Sequence, residues 1–174
     1  MGTRVLDAFS NRGNHEVGNL SSLKIRTLTN GALVVGNIDN FTAVELGFDA
    51  DGERVAKQLS DVTKKTYLIA SPERRYLGEE LVDFYNAEGE RARIVFFDEG
   101  FRFDTSAFSK NTGVTEIKNG QVAHFDPATK KYIISAADTP HADYATADKK
   151  FLVVSEESNL EYTCGKPLVR LEVQ

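Results

Sequence analysis

Three histidines and one cysteine are the side chains of this 174-residue chain best suited to nucleophilic, acid–base or metal chemistry. Such chemistry needs an activated nucleophile, or a paired acid and base, within hydrogen-bond reach. Cys164 sits in Tyr162-Thr163-Cys164-Gly165-Lys166, a turn ahead of the last apolar run, where a lysine could lower the pKa of a thiol. No histidine is near it in sequence, and a lone cysteine commonly serves as a small hydrophobe. His15 lies in the leader, His124 alternates within residues 121–125, and His141 follows Pro140 in a loop. None belongs to a spaced pair of the H-E-x-x-H kind, and His124 and His141 read as surface or rim residues. Asp49-Ala50-Asp51-Gly52-Glu53 begins like a calcium loop. A third acid is missing, however, and Gln58 stands where a bidentate glutamate is required, so the stretch reads as a turn. One cysteine excludes an intrachain disulfide and a thiolate zinc site. The chain has no phosphate-cradling glycine loop, dinucleotide fingerprint or nucleophile elbow. The expectation is a non-enzymatic protein with no catalytic, cofactor-binding or metal-ligating residue.

The elements available to position these groups are short strands. Leu23-Lys24-Ile25-Arg26-Thr27-Leu28 alternates apolar and polar residues, as a strand with one solvated face does. Asn30-Gly31 follows and leads into 32–38, a strong hairpin signal because a type I′ turn needs positive φ at both central residues. Further extended runs lie at 67–70, 91–97, 101–105, 132–135, 151–155 and 168–173. Asn119-Gly120 separates 114–117 from 121–125, and Asp126-Pro127 turns the chain again. Helical signals are few. Asp51 to Leu59 could make two turns with Val55, Ala56 and Leu59 on one face, and Glu79 to Tyr85 fits a helical turn or a strand. The fold class expected is mainly β, an antiparallel sandwich or barrel-like units of short strands with little helix. The chain divides into an extended N-terminal arm over 1–22, a β-rich domain over 23–110 and a small β domain over 111–174. The linker at 109–113 is drawn loosely, since the halves could share a sheet.

Two segments rhyme. Residues 65–73 and 149–157 share the pattern K-x-aromatic-Leu-aliphatic-x-Ser-x-Glu. An Asn-Gly pair lies upstream of each and a strand with a central arginine, Arg93 or Arg170, downstream, at offsets of 89, 84 and 77 residues. The order suits a diverged duplication, and the drift suits chance.

Hydrophobic residues make up 41% of the chain and charged residues 27%, which excludes wholesale disorder. The net charge of −5 supplies no global basic footprint for nucleic acid. Lys64-Lys65, Arg74-Arg75 and Lys130-Lys131 are isolated pairs at turns or strand ends. Eleven phenylalanines and six tyrosines on an acidic body suit core packing better than base stacking. No apolar run reaches the roughly 18 residues of a membrane helix, and the first residues lack a signal peptide's apolar stretch. Synthesis in a reducing cytoplasm is expected. Residues 1–30 carry a balance of +2 against −7 for the remainder. That leader also holds the apolar Val5, Leu6, Phe9 and Leu20 beside Arg4 and Arg12. These six residues are the candidates for contact with a partner.

The layout resembles that of small structural proteins of tailed bacteriophages, and among them capsid decoration, or cement, proteins. The residues that carry the resemblance are Tyr67 to Glu73, Asp83-Phe84-Tyr85, Gly89 to Ile94 and Glu99 to Phe103 in the first part. In the second they are Gly120-Gln121-Val122, Tyr132 to Ser135, Phe151 to Val154, Gly165 and Leu168 to Val173. The resemblance spans about residues 20–174. It implies a β-rich head protein on the virion surface, without catalytic residues or cofactor. Its partners would be the major capsid protein and further copies of itself, as trimer or dimer, with no nucleic acid and no membrane. The alternatives are a tail or connector component, a small cytoplasmic enzyme or ligand-binding β-barrel using Cys164, His124 or His141, and an OB-like nucleic-acid binder that the net charge disfavours.

Overall fold

The computed structural model describes residues 19–72, 84–163 and 166–174. Among these residues the chain is mainly β, with no α-helix. The strands run β1 (Asn19–Leu20), β2 (Ala32–Val35), β3 (Ala43–Phe48), β4 (Arg54–Gln58), β5 (Tyr67–Ile69), β6 (Arg91–Ala92) and β7 (Ile94–Val95). They continue with β8 (Arg102–Thr105), β9 (Phe108–Lys110), β10 (Val122–Asp126), β11 (Lys131–Ser135), β12 (Phe151–Val153), β13 (Glu161–Thr163) and β14 (Lys166–Val173). One sheet has the order β6-β2-β4-β3-β5-β7; the other runs β1-β8-β14-β12-β10-β11-β9, with β13 also paired to β14.

The two sheets share a core. Ala43, Leu68, Val95 and Phe97 of the first pack with Phe103, Tyr132, Phe151 and Leu171 of the second. Phe103 is the hub, with its ring centroid 5.5 Å from Tyr132, 5.6 Å from Phe97, 5.8 Å from Phe151 and 6.0 Å from Phe101. Burying each such ring contributes about 2–3 kcal/mol of transfer free energy. The first sheet has a second apolar face, where Val44, Ala56, Tyr67, Ile69 and Ile94 form a cluster of their own. This explains why β5 is buried at every position rather than at alternate ones. The sheets therefore do not divide at residue 110: β8 and β9 already belong to the second.

Several expectations need correction. The sheets are mixed rather than antiparallel, because β2 runs parallel to β4 and β9 parallel to β11. Residues 54–58 form a strand, not a helix. The Asp49 carboxylate accepts from the backbone N–H of Asp51 (3.0 Å) and Glu53 (2.8 Å), and this turn returns the chain as a β3–β4 hairpin. Only Tyr85 and its neighbour of the 79–85 stretch lie among the described residues, outside any strand or helix. Asn30 and Gly31 do take φ of 63° and 61°, but the runs flanking them do not pair with each other. Residues 26–28 pair with β7, and β2 pairs with β4 and β6. Gly31 is required by proximity as well as by φ, since a Cβ there would lie 2.1 Å from the Ala92 carbonyl oxygen. Asn119-Gly120 likewise turns the chain without joining a hairpin, whereas Asp126 does hold the β10–β11 hairpin. Its carboxylate accepts from the N–H of Ala128 and Thr129, each at 3.1 Å, and from the Thr129 hydroxyl at 2.6 Å.

The rhyming segments occupy equivalent places. In the first sheet, residues 26–28, β7, β5, β3, β4 and β2 lie side by side; in the second, β8, β14, β12, β10, β11 and β9 do. Chain order, strand direction and register all correspond. Leu68 pairs with Val95 and Ile69 with Ile94, as Leu152 pairs with Glu172 and Val153 with Leu171. The matching arginines behave alike too. The Arg93 N–H donates to the Ser71 hydroxyl at 3.1 Å, and the Arg170 N–H to the Ser155 hydroxyl at 2.7 Å. The fold is thus one six-strand unit built twice.

Candidate functional site

The six leader candidates divide at residue 19. Arg4, Val5, Leu6, Phe9 and Arg12 lie outside the described residues, as do His15 and Cys164. Leu20 is half-buried against the shared core, so it serves the body. It does so through β1, which adds to the edge of the second sheet opposite Asp104 and Phe103 and is continued by a hydrogen bond from the Ser21 N–H to the Arg102 carbonyl at 3.0 Å. Among the described residues, β1 is thus an edge strand of the second sheet.

The repeated arginines each line a cleft. Around Arg170 the cleft is about 300 Å³ and polar, walled by Asn119, Glu156, Asn159 and Glu161. The guanidinium binds two carboxylates: Nε donates to Asp104 Oδ1 at 2.8 Å, and Nη2 to Asp104 Oδ2 at 3.1 Å and Glu161 Oε1 at 3.4 Å. The hydrogen bond to Asp104 is the main cause raising the Arg170 pKa above its ordinary value. The bidentate pair has one nearly inaccessible member, Asp104, whose side chain is 3% exposed. The bidentate pair fastens β8 to β14. Around Arg93 the cleft is about 560 Å³, lined by Leu28, Ser71, Phe84 and Arg91 among others. There the Arg93 Nε donates to the Ala70 carbonyl, and the neighbouring Arg91 pairs with Glu53 at 3.0 Å. Counting on from the Thr27–Val95 bridge, the residue opposite Arg93 is Thr29, so the carboxylate of the second unit has no counterpart.

His124 and His141 are brought together, and His124 is not a rim residue. It is 0% exposed, on the face of β10 turned away from the shared core. The His141 ring stacks on it, centroids 5.1 Å apart and planes at 26°, and Tyr144 meets it edge-on at 6.4 Å. His141 caps the short 3-10 turn Ala142–Ala145, its Nδ1 accepting from the Asp143 N–H at 3.3 Å. Among the described residues, neither ring nitrogen of His124 has a hydrogen-bond partner. Burial first, and the neighbouring His141 second, lower the His124 pKa, opposed by the carboxylates of Asp143 and Asp126. One ligand atom each from His124, His141 and Asp143 lies within 4.8 Å of the others. The sequence offered only the residue types, because the intervening β11 and the turn after it make the cluster.

Among the described residues no helix is long and apolar enough to cross a membrane. No solved structure matches the chain. It is 62% identical over 175 residues, 99% of this chain and 98% of the relative, to the "SPbeta prophage-derived uncharacterized protein YonC" of Bacillus subtilis (strain 168). The family described as YonC prophage protein matches residues 11–174. The chain belongs to this family of prophage proteins, and its origin is bacteriophage.

Proposed function

We propose that the protein is a non-enzymatic structural component of the phage particle that binds the outer surface of the capsid and stabilises the shell. Its partner is the major capsid protein. Self-association as a trimer or dimer would multiply weak contacts over a repetitive lattice. The observation that carries this reading is the β1 clip. A short strand at the edge of the second sheet leads directly into a leader that holds Arg4, Val5, Leu6, Phe9 and Arg12. Such a leader can dock by strand addition and apolar anchoring, offsetting an ordering cost of about 1–2 kcal/mol per residue. The prophage family supports the setting, and the ion-paired Arg170 cleft fits a body built for rigidity rather than turnover.

Deletion of residues 1–18 tests the reading, because it spares β1. The truncated protein is expected to keep its β spectrum and melting temperature and to lose co-sedimentation with phage heads. Undiminished head binding would move the dock to the loops of the body. Binding to isolated tails alone would make the protein a tail or connector component.

A further inference from the structure

The two units differ most in one connection. Between β4 and β5 the first unit uses residues 59–66, whereas between β11 and β12 the second uses 136–150. The longer connection carries His141 and Asp143 and folds over the outer face of β10. It is tied down at several points: the Tyr144 hydroxyl donates to Gln174 Oε1 at 2.8 Å, Lys150 Nζ to the Ala145 carbonyl at 3.1 Å, and the His141 N–H to the Ser135 hydroxyl at 3.1 Å. On the strand below, the register places His124 where the first unit has Glu45. A carboxylate in one copy is thus an imidazole in the other, and only there does the extra loop supply a second imidazole and a carboxylate.

We infer that His124, His141 and Asp143 form a binding site for a divalent transition-metal ion of the zinc class. Two independent observations point to it. The first is the convergence of three ligand atoms within 4.8 Å of one another. The second is His124 itself, 0% exposed with both ring nitrogens unpartnered, where a metal bond would satisfy a nitrogen that burial otherwise strands. Two imidazoles are borderline donors, and with one carboxylate beside them the set suits zinc, cobalt or nickel rather than calcium or magnesium, which take all-oxygen shells. Bonds of about 2.1 Å in a tetrahedron place donors about 3.4 Å apart. The turn that carries His141 and Asp143 therefore closes by about an ångström on binding, which an exposed four-residue 3-10 turn with no buried residue can do. His141 and Asp143 face solvent, leaving a fourth position for water or for a donor from a neighbouring molecule.

The full chain, stripped with chelator and desalted, is titrated with zinc chloride by calorimetry and with cobalt chloride by visible absorption. One equivalent of zinc is expected to bind, with a rise in melting temperature. Cobalt is expected to give tetrahedral d–d bands without the sulfur charge-transfer band that a site at Cys164 would show. His141→Ala and Asp143→Asn lie on the exposed turn, and each is expected to weaken binding at least tenfold; the apo melting temperature stays near wild type for Asp143→Asn and falls by a few degrees for His141→Ala, whose ring caps the turn and covers His124. His124→Gln is expected to abolish binding; should it fail to fold, the two turn variants decide alone. Absence of saturable one-to-one binding overturns the inference. So does a thiolate band, or an affinity unchanged in both turn variants.

Discussion

Arg170→Met is the substitution whose cost can be worked most directly from the geometry. The methionine keeps most of the stem but removes both charged hydrogen bonds to Asp104, at 2.8 and 3.1 Å. Asp104 is 2% exposed and, among the described residues, would keep only a long contact from the Ser21 hydroxyl at 3.5 Å. Removing one partner of a buried ion pair costs about 3–5 kcal/mol, because the other charge is left without compensation. Arg170 has a side-chain exposure of 34%, so water reaches the vacated place and the expected loss is about 3 kcal/mol. At roughly 2–4 °C per kcal/mol for a chain of this size, the melting temperature falls by about 6–12 °C. The discriminating measurement is a double-mutant cycle in urea. Asp104→Asn in the Arg170→Met background removes the stranded charge and restores about half of the loss. Arg93→Met is an internal control, since Thr29 replaces the carboxylate there, and it costs about 1 kcal/mol. An Arg170→Met protein within 1 kcal/mol of wild type, or a double variant less stable than the single, would refute this account.

Tyr132→Phe is expected to be neutral or to stabilise by up to about 1 kcal/mol in urea melts, because the Tyr132 hydroxyl is buried without a partner and burial alone drives its pKa up. Gly31→Ala is expected to destabilise by about 2 kcal/mol or more, combining positive φ with a clash against the Ala92 carbonyl; a loss under 0.5 kcal/mol would contradict the close approach. The His124 pKa is lowered on folding, so the unfolded chain binds more protons as pH falls below its ordinary value of 6.5. Stability from the buried neutral ring is thus present above about pH 6.5 and lost below it. Thermal melts in chelator between pH 7.5 and 5 should show this slope in the wild type and a smaller one in His124→Gln.

Most strands were legible because their chemistry is local. The runs at 67–70, 101–105, 132–135, 151–155 and 168–173 all contain strands, and Asp126-Pro127 closes a hairpin. Residues 51–59 misled because nine residues are too few to separate a two-turn helix from a strand, and the decisive group, the Asp49 carboxylate, lies outside the window. The parallel pairs were not legible, since β3 and β10 each cross to the far side of the strand that follows them. The repeat was half legible. Offsets of 84 and 77 match β5 with β12 and β7 with β14, but Asn30-Gly31 precedes β2 while Asn119-Gly120 precedes β10, the counterpart of β3. The histidine cluster depends on a loop crossing a strand, which neither periodicity nor spacing encodes.

The equivalence of the two units bears on how a single ancestral copy could have associated. The face that Tyr67, Ile69 and Ile94 present in the first unit is the face that Phe151, Val153 and Leu171 present in the second, yet only the latter looks into the shared core. The units therefore stack front to back, not front to front. Front-to-back association uses two different faces, so separate copies packed this way would add on without a two-fold stop and grow as an open filament unless the rotation per copy closed a ring. Joining two copies in one chain fixes the length at two, and the loop over His124 covers the surface on which a third would sit. Growth is stopped by the same segment that brings His141 and Asp143 to the strand.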